Sequence, residues 1–379
     1  MENIRRHDLD WLRVLVFGLL IFYHVGMLFV PWGFHIKNNR IYDWLIYPML
    51  FLNQWRLPIL FVISGMGTYY ALSKRIALQF SLERLKRLLV PLVFGMLIIV
   101  PPQVYVERLL KGQYQGGYFD FWPTVALTGI YPEGNLSWHH LWFLPYLLLF
   151  SLVLIPLFVF LRKHPEKRFL GWLKQQTKQH LGLYWFAVPL YLVEFFIEPF
   201  FPVTHALVDD WFTIINYLLL FSFGYLLISV QDEFWIAVKQ HRKRYLLAGV
   251  LVFTLWLTVV LQFEDSLLIH GMEALLKVLN LWSWILAIFG YAAYYLNRPS
   301  KVLSYANQAV YPFYILHQTV MLIIAYFLID WKAGLVPKFI LLMVGTFGIT
   351  WVLYEYGIRR WLLLRPLFGM KKLQNTEVA

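Results

Sequence analysis

Three ionisable side chains interrupt apolar stretches in the N-terminal part of the chain: Arg13, His24 and Arg56. Such a group inside a membrane-spanning helix costs about 2.5–3.5 kcal/mol on insertion scales, so each is a candidate for function. On a helix, Arg13 and His24 are about three turns apart, which places both on one face, about 16 Å apart along the axis. A histidine there can act as a general base or as a nucleophile.

Each of these residues also has a structural interpretation. Arg13 can snorkel to the interface, His24 can hydrogen-bond a neighbouring helix, and Arg56 can form an ion pair between helices. A basic run that contains Arg84 and Arg87 fits two roles equally well. It can anchor the chain at the cytoplasmic face, or it can bind a polyphosphate, because arginine forks match phosphate oxygens.

Four further residues in the later helices complete the set of candidates. His140 and Trp142 open an apolar run, and His317 lies about ten residues into another. Glu355 is four positions before Arg359, and an ordinary i, i+4 ion pair is sufficient to explain it. Adjacent histidines on a helix point about 100° apart, the chain has no cysteine and it has no HExxH pattern. We therefore predict no metal site.

The composition limits which proteins can present these residues. Of the 379 residues, 60% are hydrophobic and only 14% are charged, with no cysteine and a formal net charge of +12. Low hydrophobicity would be needed for a disordered chain, and cysteines for a disulfide-rich secreted domain. A nucleic-acid binder would account for the charge but not for a chain that is more than half apolar. The composition favours a membrane protein.

Apolar runs of about 20 residues, long enough to cross a bilayer as helices, occur ten times. We therefore predict an all-α, polytopic membrane helical bundle with one integral membrane domain over 1–370 and a short cytoplasmic tail over 371–379. The N-terminal run has no A-x-A-like cleavage site, so we expect it to be a retained helix rather than a signal peptide. The predicted spans are 11–31, 44–72, 88–108, 138–161, 181–198, 211–230, 245–263, 272–296, 307–329 and 337–360.

The basic residues indicate how the spans are oriented. When each is assigned to the nearer membrane face, 25 of the 33 fall on the side of the two termini and eight on the other. By the positive-inside rule, both termini are predicted to be cytoplasmic. The longest piece outside the membrane, 109–137, is rich in glycine and aromatic residues. It fits either an interfacial aromatic belt or a lid that stacks on sugars.

Several short motifs together resemble the membrane acyltransferase-3 family. Arg13 and His24 resemble its Arg-x10-His signature, and Arg84 with Arg87 its Arg-x-x-Arg pair. The resemblance covers about residues 7–369, and six motifs occur in the family's order. Within the family, the second and fourth helices look most like the periplasmic glucan succinyltransferases. The remaining motifs are Phe61 to Gly65, His140 to Leu144, Tyr311 to Gln318, and Tyr354-Glu355 with Arg359.

The resemblance implies an acyltransferase of the cytoplasmic (inner) membrane. It implies that an acyl group of the acetyl or succinyl class passes from cytoplasmic acyl-CoA, a donor substrate, to a hydroxyl of an extracytoplasmic carbohydrate or glycan acceptor, and that His24 is essential. We expect Arg84, Arg87 and Arg13 to hold the donor phosphates. The other expected partner is the lipid bilayer, and no nucleic acid is expected. The residues expected at the substrates are His140, Trp142, His317 and Glu355.

Two mechanisms and one competing function stay open at this point. His24 can be a general base on the acceptor hydroxyl or can carry the acyl group as an acyl-imidazole. Arg56 can face the carbonyl as an oxyanion partner or hold a carboxylate on the acyl group. The alternative function is a secondary transporter or exporter of a small anionic or acylated solute. Such a protein would show two matching halves, which this sequence does not.

Overall fold

The protein is almost entirely helical. Its structure is a computed structural model that describes residues 6–179 and 181–371. Arg5, Lys372 and the rest of the predicted tail after Lys371 lie outside the described residues. Within these ranges there is no strand, only one isolated bridge between Ile130 and Leu136. An apolar run that enters lipid must pair its backbone groups internally, which a helix does. The prediction of an all-α helical membrane protein is confirmed.

Sixteen α-helices occur among the described residues. In chain order they are α1 (His7–Met27), α2 (Ile46–Leu72), α3 (Ala77–Arg84), α4 (Val90–Phe94), α5 (Pro101–Leu110), α6 (Tyr118–Thr124), α7 (Phe143–Val153), α8 (Ile155–Lys163), α9 (Arg168–Thr177), α10 (Ala187–Phe196), α11 (Trp211–Ser229), α12 (Gln231–Gln262), α13 (Leu267–Tyr295), α14 (Lys301–Leu328), α15 (Leu335–Val352) and α16 (Leu364–Leu367). Shorter 3-10 and π segments extend several of them. The 3-10 segments are Asp43–Leu45, His139–Trp142, Gly182–Phe186 and Glu198–Phe200, and the π segments are Leu85–Leu89, Gly95–Ile99 and Leu353–Ile358.

Nine helical stretches of the described chain are long and apolar enough to cross a membrane. A tenth is the pair formed by the 3-10 segment with α7 and by α8, which is bent by 45°. All ten overlap the spans predicted from the sequence, one for one. The nine are His7–Met27, Asp43–Leu72, Ala77–Leu110, Gly182–Phe200, Trp211–Ser229, Gln231–Gln262, Leu267–Tyr295, Lys301–Leu328 and Leu335–Ile358.

The ends of the spans differ from the sequence prediction where a charged segment continues a helix. The predicted loop 231–244 is helical and forms the first part of α12. The predicted loop 73–87 contains α3 and the start of a π segment. Lysine, arginine, glutamine and glutamate are good helix formers, and neither glycine nor proline interrupts these segments. Hydropathy therefore located the apolar part of each helix rather than its ends.

Prolines explain two of the irregular places. Pro91 has no N–H to give to the carbonyl of Arg87, and that carbonyl instead accepts a hydrogen bond from the Tyr311 hydroxyl at 3.0 Å. This contact ties the π segment to α14. Pro156 likewise cannot bond to the carbonyl of Leu152, and the bend between α7 and α8 lies there.

The chain divides into two compact units. Unit 1 comprises Met1–Arg13, Phe51–Ser81 and Leu149–Leu303, and unit 2 comprises Val14–Leu50, Leu82–Leu148 and Ser304–Ala379. In unit 1, α2 and α11 approach closely because Gly65 and Gly224 have no side chains. A Cβ on Gly65 would collide with the carbonyl oxygen of Phe221. The prediction of a single domain over 1–370 stays a prediction.

Candidate active site

Two histidines from distant parts of the sequence form a pair in unit 2. His24 lies on α1 and His317 on α14, and His24 Nδ1 is 2.8 Å from His317 Nε2. The ring planes are 6° apart and the ring centroids 5.0 Å apart. This is the geometry of a hydrogen bond in the plane of both rings, since a face-to-face stack brings the centroids closer. His317 is fully buried and His24 partly buried. We call these two residues the histidine pair.

The hydrogen bonds of His317 assign the protons of the pair. His317 Nδ1 is 2.7 Å from the carbonyl oxygen of Tyr314, which can only accept, so Nδ1 carries a hydrogen. In a neutral ring, His317 Nε2 then accepts, and the hydrogen between the two rings belongs to His24 Nδ1. His24 Nε2 consequently carries a lone pair. The backbone of α14 thus determines, through one imidazole, which nitrogen of His24 can take a proton or attack a carbonyl.

A third histidine positions the helix that carries His317. His140 Nε2 donates to the carbonyl oxygen of Ile315 at 3.0 Å, and the Tyr314 hydroxyl donates to the carbonyl oxygen of His140 at 2.7 Å. The rings of His140 and His317 meet edge to face, with centroids 5.1 Å apart. The sequence predicted both His140 and His317 to lie at the substrates. In the structure the two rings are in contact, and His140 holds the turn of α14 that carries His317.

Gln103 links α5 to the same turn of α14. Its Nε2 donates to Thr319 Oγ1 at 2.6 Å, and its Oε1 accepts from Gln318 Nε2 at 3.1 Å. Thr319 Oγ1 in turn donates to the carbonyl oxygen of Ile99 at 2.6 Å. That carbonyl lies where Pro101 and the residue after it interrupt regular helical bonding. Sequence reasoning missed Gln103, although a glutamine directly after two prolines in an apolar run was a visible signal.

A second histidine cluster of unit 2, which sequence reasoning also missed, surrounds a buried carboxylate. Glu107 Oε2 lies 2.8 Å from His35 Nδ1, and Glu107 Oε1 accepts from Lys111 Nζ at 2.6 Å and from the Tyr131 hydroxyl at 3.0 Å. His139 stacks on His35, with centroids 4.1 Å apart and planes 22° apart. Burial and, secondly, the Glu107 carboxylate raise the pKa of Tyr131 to about 12. We call these five residues the His35 cluster.

The His35 cluster has residue types that can bind a metal. Single ligand atoms of His35, Glu107 and His139 all lie within 4.8 Å of one another. The lone pairs of an imidazole lie in its plane, so the nearly parallel, stacked rings direct theirs alongside each other rather than toward one point. Lys111 also occupies one oxygen of the carboxylate. The arrangement is that of a charge cluster, and the absence of a metal site stays a prediction.

The arginines predicted to bind the donor lie in different parts of the chain. Arg84 and Arg87 belong to unit 2, where Arg87 is half exposed and lies 3.6 Å from Glu83. Arg13 belongs to unit 1, with its Nη1 3.4 Å from Asp10 Oδ1. Arg56 also belongs to unit 1 and is almost completely buried. The roles of these four arginines toward a donor stay predictions.

The last two predicted substrate residues, Trp142 and Glu355, have contacts elsewhere in unit 2. Trp142 packs edge to face on Tyr146, with centroids 5.4 Å apart. Glu355 accepts from the Tyr305 hydroxyl at 2.8 Å and from Arg359 at 2.8 Å. Tyr305 precedes His317 by twelve residues, which is about 18 Å along a helix. Glu355 thus forms the ion pair with Arg359 that the sequence offered as its structural explanation, and it also accepts from Tyr305.

Comparison with known proteins shows which family the chain belongs to. The sequence profile of the acyltransferase-3 family, described as an acyltransferase domain, matches residues 6–355. This match covers nearly the whole chain and favours an enzyme over the transporter that the sequence left as an alternative. No solved structure matches the chain.

The curated relatives are more distant. Glucans biosynthesis protein C of Salmonella paratyphi B and of Salmonella heidelberg are both 25% identical to the chain over 165 residues. The aligned part is 43% of this chain and 41% of each relative. The chain thus spans about two fifths of the length of the curated relatives it matches. Their activity as whole proteins is not transferred by this similarity alone.

Proposed function

The chain belongs to the acyltransferase-3 family and is a membrane acyltransferase, and from this premise we propose the rest of its reaction. An acyl group of the acetyl or succinyl class passes from cytoplasmic acyl-CoA to a hydroxyl of a carbohydrate on the other side of the membrane. The names of the similar proteins point to a glucan as the acceptor. The observation that carries the proposal is the histidine pair, since its hydrogen bonds leave a lone pair on His24 Nε2.

The chemistry follows from that lone pair. His24 Nε2 takes the proton of the acceptor hydroxyl, the hydroxyl oxygen bonds to the thioester carbonyl carbon, and the carbon–sulfur bond breaks. The CoA thiolate leaves and receives the proton from His24, so the products are an ester and free CoA. In the alternative order, Nε2 itself attacks the carbonyl carbon, the carbon–sulfur bond breaks and the CoA thiolate leaves. The acceptor hydroxyl oxygen then bonds to the acyl carbon, the carbon–nitrogen bond to the imidazole breaks, and the hydroxyl proton neutralises the released thiolate. Both orders need the same nitrogen unprotonated.

The donor is proposed to bind through the basic segment before α4. Arg84 and Arg87 would hold its phosphates by charge-assisted hydrogen bonds. Tyr311 supports this location, because its hydroxyl binds the carbonyl of Arg87 and it precedes His317 by only six residues, about 9 Å along α14. The distribution of basic residues supports a cytoplasmic location for this segment and for both termini.

One experiment in vesicles tests the activity and the orientation together. Inverted inner-membrane vesicles, whose cytoplasmic face is outward, receive labelled acetyl- or succinyl-CoA outside and a glucan inside. We expect free CoA outside and labelled glucan inside, and we expect none of either when the donor is enclosed and the glucan is outside. Transfer only in the reverse arrangement would contradict the orientation, and no CoA release in either would contradict the activity.

The same vesicles test the role of His24. His24→Ala should lower CoA release by about 100-fold or more, because the base or nucleophile is removed. His164→Ala, which changes a partly exposed histidine in a loop of unit 1, serves as the matched control and should keep its activity. Retained activity in a normally expressed His24→Ala protein would refute the assignment.

A further inference from the structure

An apolar cavity lies within unit 2, one helical turn from the histidine pair. It has a volume of about 170 Å³ and lies between α1, α14 and the side chain of Phe347 on α15. Ile21 and Tyr314 line it, and they precede His24 and His317 by three residues each. Residues three apart on a helix share a face, so this end of the cavity adjoins the pair. We call this cavity the acyl slot.

Tyr314 lines the slot and also contacts the ring of His317. Its ring lies 6.2 Å from that of His317 and 5.3 Å from that of Phe17, which also lines the slot. Farther from the pair the slot passes Gly18 and reaches Val14 on α1. A Cβ added to Gly18 would meet no atom within 4 Å, so a glycine here leaves space that a side chain would fill. Gly18 is about 9 Å along α1 from His24.

The lining determines what the slot can hold. Its side chains are aliphatic or aromatic, and the hydroxyl of Tyr305 already donates to Glu355. The two amides of a pantetheine arm would lose their hydrogen bonds to water without replacement, which is unfavourable, and a succinyl carboxylate would lose more. A hydrocarbon chain loses nothing on entering. A dry apolar cavity of about 150 Å³ accommodates benzene, so this slot has room for about six carbons.

We propose that the acyl slot receives the alkyl chain of the donor's acyl group. The inference rests on the proposed function and narrows it: the enzyme uses uncharged aliphatic acyl-CoA of up to about six carbons in preference to succinyl-CoA. The thioester carbonyl stays at His24, and the chain extends past Ile21 toward Gly18. The volume of the slot then limits the length of the chain, and a side chain at position 18 would reduce that volume.

The test measures CoA release from acetyl-, butanoyl-, hexanoyl-, octanoyl- and succinyl-CoA. For the wild type we expect the ratio of kcat to KM to rise up to about six carbons and to fall beyond, with succinyl-CoA used poorly. Gly18→Leu fills the slot and should lower this ratio for hexanoyl-CoA by about tenfold or more, while acetyl-CoA changes by less than about twofold. Gly348→Leu, on α15 and also with open space around its Cβ position, is the matched control and should keep the wild-type profile.

The possible failures are distinguishable. If the wild type releases no CoA from any donor, the proposed function itself is wrong. If it uses succinyl-CoA best, or if Gly18→Leu lowers all donors in parallel, only the slot inference is overturned. An unchanged donor profile in a folded Gly18→Leu protein also overturns it and assigns the slot to a membrane lipid tail. Should Gly18→Leu not fold, Gly18→Ala must shift the preferred length in the same direction by a smaller amount.

Discussion

The histidine pair and the His35 cluster show how differently one fold can treat the same side chain. Both lie in unit 2, and both hold the Nδ1 of a histidine by a hydrogen bond of 2.8 Å. The partner of His24 is the imidazole of His317, whose Nδ1 donates to a backbone carbonyl, whereas the partner of His35 is the carboxylate of Glu107. With His317 as the acceptor, the basic nitrogen of His24 is Nε2.

From this difference we infer that the histidine pair takes part in the chemistry and that the His35 cluster supports the fold. The histidine pair, in which we propose that His24 reacts, adjoins the apolar acyl slot. The His35 cluster combines opposite charges, with Glu107 bound by Lys111 and Tyr131 as well as by His35. Such a cluster stabilises the segment around Tyr131 against the end of α5. We therefore expect changes in the pair to alter turnover and changes in the cluster to alter stability.

Among the substitutions that test this difference, His317→Ala is expected to have the largest effect. His317→Ala removes the group that orients His24 and should lower kcat by about 100-fold, because a misplaced base costs about that much. His317→Gln should restore most of this loss, since its Oε1 can accept from His24 Nδ1. The measurement is steady-state CoA release at saturating donor. A donor KM that rises while kcat stays constant would assign His317 to substrate binding instead.

A smaller effect of a different kind is expected at Glu107. Glu107→Gln removes the charge that faces His35 and Lys111 and should reduce the free energy of unfolding by about 1–3 kcal/mol. Turnover should change by less than about threefold. Thermal melting in detergent measures the first quantity and CoA release the second. Glu133→Gln, an exposed change in the 109–137 segment, is the control. Loss of turnover without loss of stability would make the cluster part of the chemistry.

The smallest effect is expected at Glu355, whose partner Tyr305 lies about 18 Å along α14 from His317. Glu355→Gln weakens its ion pair with Arg359, a partly exposed i, i+4 pair. Pairs of this kind contribute about 0–1 kcal/mol to stability. We expect little change in melting temperature or in turnover. A drop in turnover as large as that of His317→Ala would place Glu355 in the reaction and refute its assignment to a structural ion pair.

The helical architecture was predictable because a bilayer demands about 20 consecutive apolar residues, which a sequence displays directly. The ends of α3 and α12 were not, since charged segments with good helix formers continue a helix without an apolar signal. His24, His140 and His317 were each visible as polar residues in apolar runs. Their contact was not visible, because it depends on how α1 and α14 pack.

The His35 cluster marks the limit of sequence reasoning more sharply. His35, Glu107 and His139 come from three separate segments, and no spacing relates them. The sequence by itself determined the apolar helices, the charge distribution and the candidates on α1 and α14, because these depend on local composition. Only the tertiary structure decided which histidine has another histidine as its partner and which has a carboxylate. Hydrogen bonds between distant segments depend on distances of about 3 Å that packing alone sets.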